Sequence, residues 1–368
     1  MTKLDAAREE ICAIDKEMAA LFERRMNAAK VVAEYKKENG LPVFDAGREA
    51  FLIERNSGYI EDAVLKDYYV EFIKSTMNIS KSYQRMLLDG MRVAYSGVPG
   101  AFAHIAAIKI FDSANAIAYD SFKAAYEAVE KGECDCAVLP IENSYAGDVA
   151  QVMDIAFFGS LHITGIYALE VSPNLLAKKG TNKGDIKKVI SHSQALSQCA
   201  GYIEKNNLCK EEATNTAVAA KMDAESKDGG LAAIASKEAA ALYGLTVIEE
   251  NINQSANNTT RFAVFSRSNG KEKKGNNHFV FFFTVKNEAG ALGKAISVIG
   301  KYGFNLKALK SRPTKELIWD YYFFAEGEGE INGENGDKML SELKESCNEI
   351  KVVGSFANEI LLREKDNK

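Results

Sequence analysis

The stretch Asn257-Asn258-Thr259-Thr260-Arg261 sets five hydrogen-bonding side chains directly before Phe262 and Val264, which read as the start of a buried strand. Polar groups this close to a core need partners. The run is therefore either a solvated turn or a row of donors aimed at a ligand. Comparable clusters stand upstream. Glu142, Asn143 and Ser144 follow the apolar run 137–141, where a strand ends. Ser191, His192 and Ser193 open a helix on which Gln194 and Gln198 share a face. Asn215, Thr216 and Ala217 sit before another helical stretch. Strand carboxyl ends and helix N-termini are where α/β folds hold anionic ligands. Ordinary loop and cap chemistry is the competing account, and for Asn215–Ala217 it is at least as good. A Ser–His hydrolase is disfavoured, because adjacent Ser191 and His192 would diverge and G-x-S-x-G is absent.

A second set of candidate residues lies near the amino end. Arg25 and Lys36 are eleven residues apart, about three helical turns, so they share a face. Arg8 precedes Arg25 by seventeen residues and points roughly 100° away. Asp45 reads as an N-cap followed by Arg48 and Glu49, with Arg48 where a capping box would carry Glu or Gln. Ser80 and Gln84 stand four apart on one face of a further helix. A solvated surface explains any single arginine. Three arginines and a lysine together suit a small dicarboxylate, since guanidinium forks match carboxylates bidentately.

Composition removes several function classes. The chain has 368 residues and a formal net charge of −5, with no basic footprint for nucleic acid or membrane. No apolar run is long enough to span a bilayer, and the start MTKLDAAREE is not of signal-peptide type. Six scattered cysteines show no C-x-x-C spacing and the four histidines are far apart, so no metal is expected. Cys134 and Cys136 are expected as part of a buried strand. The expectation is a reduced, cytoplasmic protein.

Three regimes position these residues. Residues 1–88 carry no strand pattern and read as three helices: a long amphipathic run stopped by Asn39, Gly40 and Pro42, a second helix through about Ser57, and a third from about Glu61 to Leu88. The first exceeds the usual roughly 8–20 residues, and three such helices make no compact core alone, so dimerisation is expected. Across residues 92–268 strand-like runs such as RVAYS, CAVLPI and FAVFS alternate with helical ones. That alternation predicts two α/β subdomains with mainly parallel sheets and a cleft. The turn SGVPGAFAH (96–104) lacks dinucleotide-site spacing, and 269–277 reads as a polar linker without a P-loop. Residues 278–362 give β-α-β-β-α-β, a ferredoxin-like α+β outline whose phenylalanine-rich first strand fits burial on both faces.

The motifs carry resemblances to known families. R-x6-D (8–15), ERR (23–25), YKKENGLPVFDAGRE (35–49) and SKSYQ (80–84) resemble the all-helical chorismate mutase family over residues 4–88. That resemblance implies an intertwined dimer in which each site borrows one arginine from the partner chain, for which off-face Arg8 is the candidate. It implies that Arg8, Arg25 and Arg48 hold the carboxylates of chorismate. Lys36 and Gln84 would donate to the ether oxygen, and Asp45, Glu49 and Ser80 would bind the ring hydroxyl or orient the basic groups. GVPGAF, PIENS, SHSQALSQC, NTA and NTTRF together resemble prephenate dehydratase over residues 92–267. The implied reaction removes water and CO2 from prephenate to give phenylpyruvate. Thr260 would polarise the departing hydroxyl, Arg261 would pair with a carboxylate or brace the loop, and Phe262 would pack at the cleft floor. Glu142, Asn143, Ser191, Gln194, Gln198 and Thr216 would line the site, while Asn257, Asn258 and Thr259 would only set the turn. Ala101, Ala103 and Asn215 depart from the family pattern. NEAGALGKAI (287–296) and KSRPTKELIWDYYFF (310–324) resemble the ACT regulatory domain. This implies phenylalanine feedback through Gly290, Ala291, Leu292, Ser311, Arg312 and Pro313, with Lys310 in place of the common glutamate and Gly293 where a β-branched residue is frequent.

The combined expectation is a bifunctional mutase–dehydratase with a regulatory module, acting on chorismate and prephenate without a cofactor. It would be a homodimer or homotetramer with no nucleic-acid or membrane partner. The rivals are a non-catalytic amino-acid sensor and a chain whose mutase segment serves only to dimerise.

Overall fold

A computed structural model describes residues 2–254, 258–269, 275–286, 288–314 and 321–362. Asn257, Asn287, most of the expected linker and residues 315–320 lie outside the described residues. The chain divides into two compact units, residues 1–92 forming the body of one and the sheets forming the other.

The first unit is three helices: α1 (Lys3–Glu38), α2 (Ala46–Ser57) and α3 (Ala63–Asp89). Thr2 and Asp5 close a capping box on α1, Asp45 caps α2 by accepting from the Arg48 amide, and Asp62 caps α3. Gly40, at φ +63°, turns the chain out of α1. Among the described residues of this unit the buried large apolar side chains are Ile73 and Met77, whereas Ile11, Ile14, Met18, Leu21 and Phe22 are exposed along α1.

The second unit contains three sheets. In chain order its first part runs β1 (Arg92–Ser96), α4 (Phe102–Ile110), β2 (Asn115–Tyr119), α5 (Phe122–Glu130), β3 (Cys136–Asn143), β4 (Gly147–Asp148), α6 (Ala150–Phe158) and β5 (His162–Glu170). The chain then builds β6 (Asn174–Lys178), β7 (Lys188–Ser191), α7 (Ser193–Gln198), α8 (Ala200–Lys205), β8 (Cys209–Glu212), α9 (Thr216–Glu225), β9 (Leu231–Ala235), α10 (Lys237–Tyr243) and β10 (Leu245–Glu249). It returns through β11 (Thr259–Ser266) and continues with β12 (His278–Val285), α11 (Ala291–Lys301), β13 (Asn305–Pro313), β14 (Tyr321–Glu328), α12 (Glu334–Leu343), β15 (Cys347–Phe356) and β16 (Ile360–Leu362).

The strand orders are β16-β5-β11-β3-β1-β2 with β4 on β3, β10-β6-β9-β7-β8, and β13-β14-β12-β15. The first two sheets are mixed, which corrects the expectation of mainly parallel sheets. β5 carries the chain out of the first sheet and β11 brings it back, so the two lie side by side and antiparallel, Thr259 opposite Glu170. β11 is also antiparallel to β3, while β1 and β3 are parallel. In the second sheet β7 is parallel to β8 and β9, but β6 is antiparallel to β9 and β10. Alternation of elements along the chain carries no information about that crossing. Cys136 opens the buried strand β3, as expected, whereas Cys134 is buried but precedes the strand.

The third sheet has the ferredoxin-like order. Phe279, Phe281 and Phe283 pack with Ile299, Met339 and Leu343 under α11 and α12. On the opposite face Phe282 meets Phe157 of α6, and Tyr322 stacks on Phe157 at 4.2 Å. All the phenylalanines of β12 are fully buried, each worth roughly 1.5–3 kcal/mol of transfer free energy. The run is continuous because helices cover one face and the first sheet's layer covers the other. β15 crosses β5 so closely that a Cβ on Gly354 would stand 2.1 Å from the Ile163 carbonyl oxygen. The last strand, β16, pairs with β5, so residues 360–362 belong to the first sheet and not to the C-terminal module where the sequence places them. Among the described residues no helix is long and apolar enough to cross a membrane.

Asp223 on α9 is fully buried, and neither carboxylate oxygen has a partner among the described residues. Burial pushes its pKa up to about 6, Lys178 opposes the rise and Asp228 adds to it. Between about pH 4 and pH 6 the folded chain holds a proton that the unfolded chain has lost, so stability falls as pH rises through that window. Urea midpoints should show this slope in the wild type and a flatter profile in Asp223→Asn, the gap growing by on the order of 2–3 kcal/mol between pH 4 and pH 7.

Candidate active sites

In the helical unit a cavity of about 300 Å³ is lined by Arg25, Lys36, Asp45, Arg48, Glu49, Ser80, Lys81 and Gln84, with Val32, Leu52 and Met77 as part of its apolar wall. Seven of the eight residues expected here therefore converge. Arg8 is exposed and is not among the lining residues. Four cations face two carboxylates, a surplus suited to a dianion. Arg25 donates to Ser80 Oγ and to the Thr76 carbonyl, and burial lowers its pKa. Lys36 Nζ donates to the Val43 carbonyl at 2.7 Å, which ties the α1–α2 loop to the cavity wall. Glu49 pairs with Lys81 at 2.8 Å, so it orients a base, and Lys81 is a cation that the sequence reading passed over. Gln84 is only 8% exposed, and its Oε1 is buried without a partner among the described residues. A polar group left this way is poised for a ligand.

In the second unit a hydrogen-bond network joins β3, β11 and α7. Asn143 Nδ2 donates to Thr260 Oγ1 and to Asn258 Oδ1, each at 2.9 Å. Its Oδ1 accepts from the amides of Tyr145 and Ala146 and from Gln194 Nε2 at 3.2 Å. Asn258 Nδ2 in turn donates to Gln198 Oε1 at 3.0 Å. Since Thr260 accepts from Asn143, its own hydroxyl proton stays available, with no acceptor among the described residues. The buried Nε2 of Gln198 likewise lacks a partner among them. The pairing of β11 with β3 shifts register between Arg261 and Phe262, a bulge at the point where the polar cluster meets the core.

Other expected residues stand elsewhere. Ser191 is fully buried and its hydroxyl donates to the Ile234 carbonyl at 2.6 Å, so it holds β7 to β9 and does not face the cleft. His192 caps α7 by accepting from the Gln194 amide, which leaves no Ser–His pair. Asn215 caps α9, and Thr216 is that helix's first residue, outside the network. Phe262 is a core residue of β11, 1% exposed. Arg261 is a brace. Its Nε and two terminal nitrogens make five bonds, to Glu142, Glu326 and Glu359. Glu142 gives one oxygen to Arg261 and the other to Lys310, both at 2.9 Å. Burial alone would raise the Glu142 pKa, yet the paired Lys310 and Arg261 hold it below the usual range. Every Arg261 donor and both Glu142 oxygens are thus engaged within the protein, which puts Arg261 in the bracing arrangement, one of its two expected roles, and draws Glu142 into the same ion cluster. A cavity of about 470 Å³ lies between the first two sheets, lined in part by Phe102, Leu169, Ser172, Asn174, Ser236 and Asn251, and none of the network residues borders it.

Asn258, read from sequence as a turn residue, is 4% exposed and central to the network. Nothing in its local sequence marks it, because its partners come from β3 and α7. Glu326 could have been found: a lone carboxylate inside the apolar run YYFFAEG is a signal, since a buried charge demands a partner.

Residues 7–85 match the chorismate mutase type II family and residues 93–270 the prephenate dehydratase family. The chain is 32% identical to a bifunctional chorismate mutase/prephenate dehydratase of Aquifex aeolicus (strain VF5), over 98% of this chain and 99% of that protein. The solved prephenate dehydratase of Arthrobacter aurescens in complex with L-Phe is 27% identical, with a TM-score of 0.68, covering 73% of this chain and 90% of that one. GqqA, described as a novel type of quorum quenching acylase, is also 27% identical, with a TM-score of 0.67 over 72% of this chain and 96% of that one.

Asn258→Ala should leave the buried amides of Asn143 and Gln198 without their shared partner. The expected loss is about 1–3 kcal/mol in urea unfolding, against less than about 0.5 kcal/mol for a substitution at an exposed position such as Lys123.

Proposed function

Because the chain belongs to the bifunctional chorismate mutase/prephenate dehydratase family, we propose that the cavity among α1, α2 and α3 performs its first reaction and the Asn143–Thr260 cluster its second. The chain carries both activities, within aromatic amino-acid biosynthesis. The assignment of roles to residues is the proposal.

In the cavity, Arg25 and Arg48 hold the carboxylates of chorismate, with Arg8 supplied by a second copy. Lys36 and Gln84 donate to the ether oxygen as its bond breaks and charge gathers on it. Asp45 and Ser80 take the ring hydroxyl or fix the basic groups, and Glu49 steadies Lys81. The rearrangement is intramolecular, so conformational restraint and charge stabilisation suffice and no nucleophile is needed.

Dehydration is carried by one observation: Thr260 accepts from Asn143 and so keeps its proton for a ligand. The hydroxyl donates a hydrogen bond to the departing ring oxygen, which takes up one proton from solvent and leaves as water. The ring carboxylate leaves as CO2, and the electrons of its C–C bond complete the aromatic ring of phenylpyruvate. A threonine hydroxyl is too weak an acid to deliver the proton outright, so Thr260 polarises the bond. Gln194, Gln198 and Thr216 are read as lining the substrate site, Thr216 from the first turn of α9. Ser191 and Phe262 support this site from the core.

The C-terminal module is read as an ACT domain that senses phenylalanine. Gly290, at φ +84°, precedes α11 without a side-chain cap, and Ser311 and Pro313 are exposed on β13, an edge strand able to pair with a second copy. Ala291 and Leu292 are the first residues of α11. Arg312 is turned inward onto Asp154, at 2.8 Å, so its contribution to an effector site is indirect. Exposed apolar residues along α1 support a homodimer or homotetramer, and a cytoplasmic setting fits an enzyme of this kind.

Each site is tested by one variant with the other activity as control. Lys36→Met should lower mutase kcat by roughly 10²–10³-fold and leave dehydratase within about twofold; Thr260→Val should do the reverse. A Thr260→Val protein that still makes phenylpyruvate at the wild-type rate would refute the dehydratase assignment.

A further inference from the structure

We propose that Lys310 and Glu326 of the C-terminal module are positioning residues of the dehydratase site, holding the β3–β4 hairpin and β11 in register from beneath; the proposal rests on the assignment of Asn143 and Thr260 to that reaction. Arg261 stands opposite Glu142 and Thr260 opposite Asn143 in the β11–β3 ladder. Successive strand residues point to opposite faces, so the ion cluster lies on one face and the Asn143–Thr260 hydrogen bond on the other. Lys310 reaches Glu142 and also Asp148, residues paired with each other across the β3–β4 hairpin. The tip of that hairpin carries Asn143 and the two amides its Oδ1 receives. Glu326, 1% exposed, grips Arg261 through both oxygens and also meets His278 Nε2 at 3.2 Å.

The charges show why the module is needed. Four carboxylates, Glu142, Asp148, Glu326 and Glu359, are held together by only two cations, Arg261 and Lys310. Without Lys310, Glu142 and Asp148 face each other across the hairpin with one cation fewer, and repulsion opens the tip that orients Asn143. Without the Glu326 carboxylate, Arg261 loses the buried one of its two bidentate partners, keeping Glu359, and the hold on β11 beside Thr260 loosens. The third sheet thereby acts on the network through two side chains and three ion pairs, Lys310 to Glu142 and Asp148 and Glu326 to Arg261, and positions the site without a catalytic role of its own.

The test uses the full chain with Lys310→Met, Lys310→Arg and Glu326→Gln. Amide hydrogen exchange at Tyr145 and Ala146 should quicken several-fold in Lys310→Met and return towards wild type in Lys310→Arg. Dehydratase kcat should fall about fivefold or more in Lys310→Met and in Glu326→Gln, with KM for prephenate within about threefold and mutase kcat unchanged. Unchanged exchange and kcat in Lys310→Met overturns the proposal, and so does a rise in KM alone or an equal fall in both activities. Quickened exchange in Lys310→Met, with a wild type that makes no phenylpyruvate from prephenate, would instead defeat the assignment of the reaction and leave the positioning geometry standing.

Discussion

The guanidinium of Arg261 has five N–H donors, and three carboxylates take all of them. Those carboxylates come from β3, from β14 and from the segment just before β16, so one side chain joins three parts of the chain that are far apart in sequence. Burial would weaken the charged form, but Glu326, Glu359 and Glu142 raise its pKa well above the ordinary value. The cluster is thus permanently charged, and breaking it would leave a carboxylate as buried as Glu326 uncompensated, a costly state. Thr260 is the neighbour of Arg261 and Asn143 the neighbour of Glu142. The hydrogen bond that frees the Thr260 proton is therefore set by the ion cluster on the other face of the same two strands.

The helical unit solves its problem differently. It has almost no core of its own, and its polar side chains converge because helix periodicity puts them on facing surfaces. Arg25 and Lys36 share a face of α1, while Ser80 and Gln84 meet them from α3. Caps at Thr2, Asp45 and Asp62 fix where each helix begins. Asp45 serves twice, as a cap and as a wall of the cavity.

This difference explains what was legible from sequence. Helical periodicity is local, so the Arg25–Lys36 alignment, the Asp45 cap and the approximate ends of the three helices could all be read from spacing. The ferredoxin-like outline and the doubly covered phenylalanine strand were legible for the same reason. The crossing of β5 and β11, the return of β16 to the first sheet and the bracing role of Arg261 depend on pairings between distant segments, from 65 residues apart for Arg261 and Glu326 to 193 for Ile360 and Tyr167. No local pattern encodes them. Asn258 illustrates the limit: beside Asn257 and Thr259 it reads as one more turn residue, and only the approach of Asn143 and Gln198 gives it a function. Lys310 was visible as a departure from a family pattern, yet its meaning required Glu142 and Asp148 to be seen beside it.

The central claim is that Arg261 organises the dehydratase site without binding substrate. Steady-state kinetics of Arg261→Lys on prephenate test it most directly, since lysine keeps the charge but loses the five-donor geometry. The account predicts a kcat lowered roughly tenfold or more with KM changed less than about threefold, because the orientation of Thr260 is lost and the substrate contacts are kept. A KM raised tenfold or more at an unchanged kcat would show Arg261 holding a substrate carboxylate, and would contradict it.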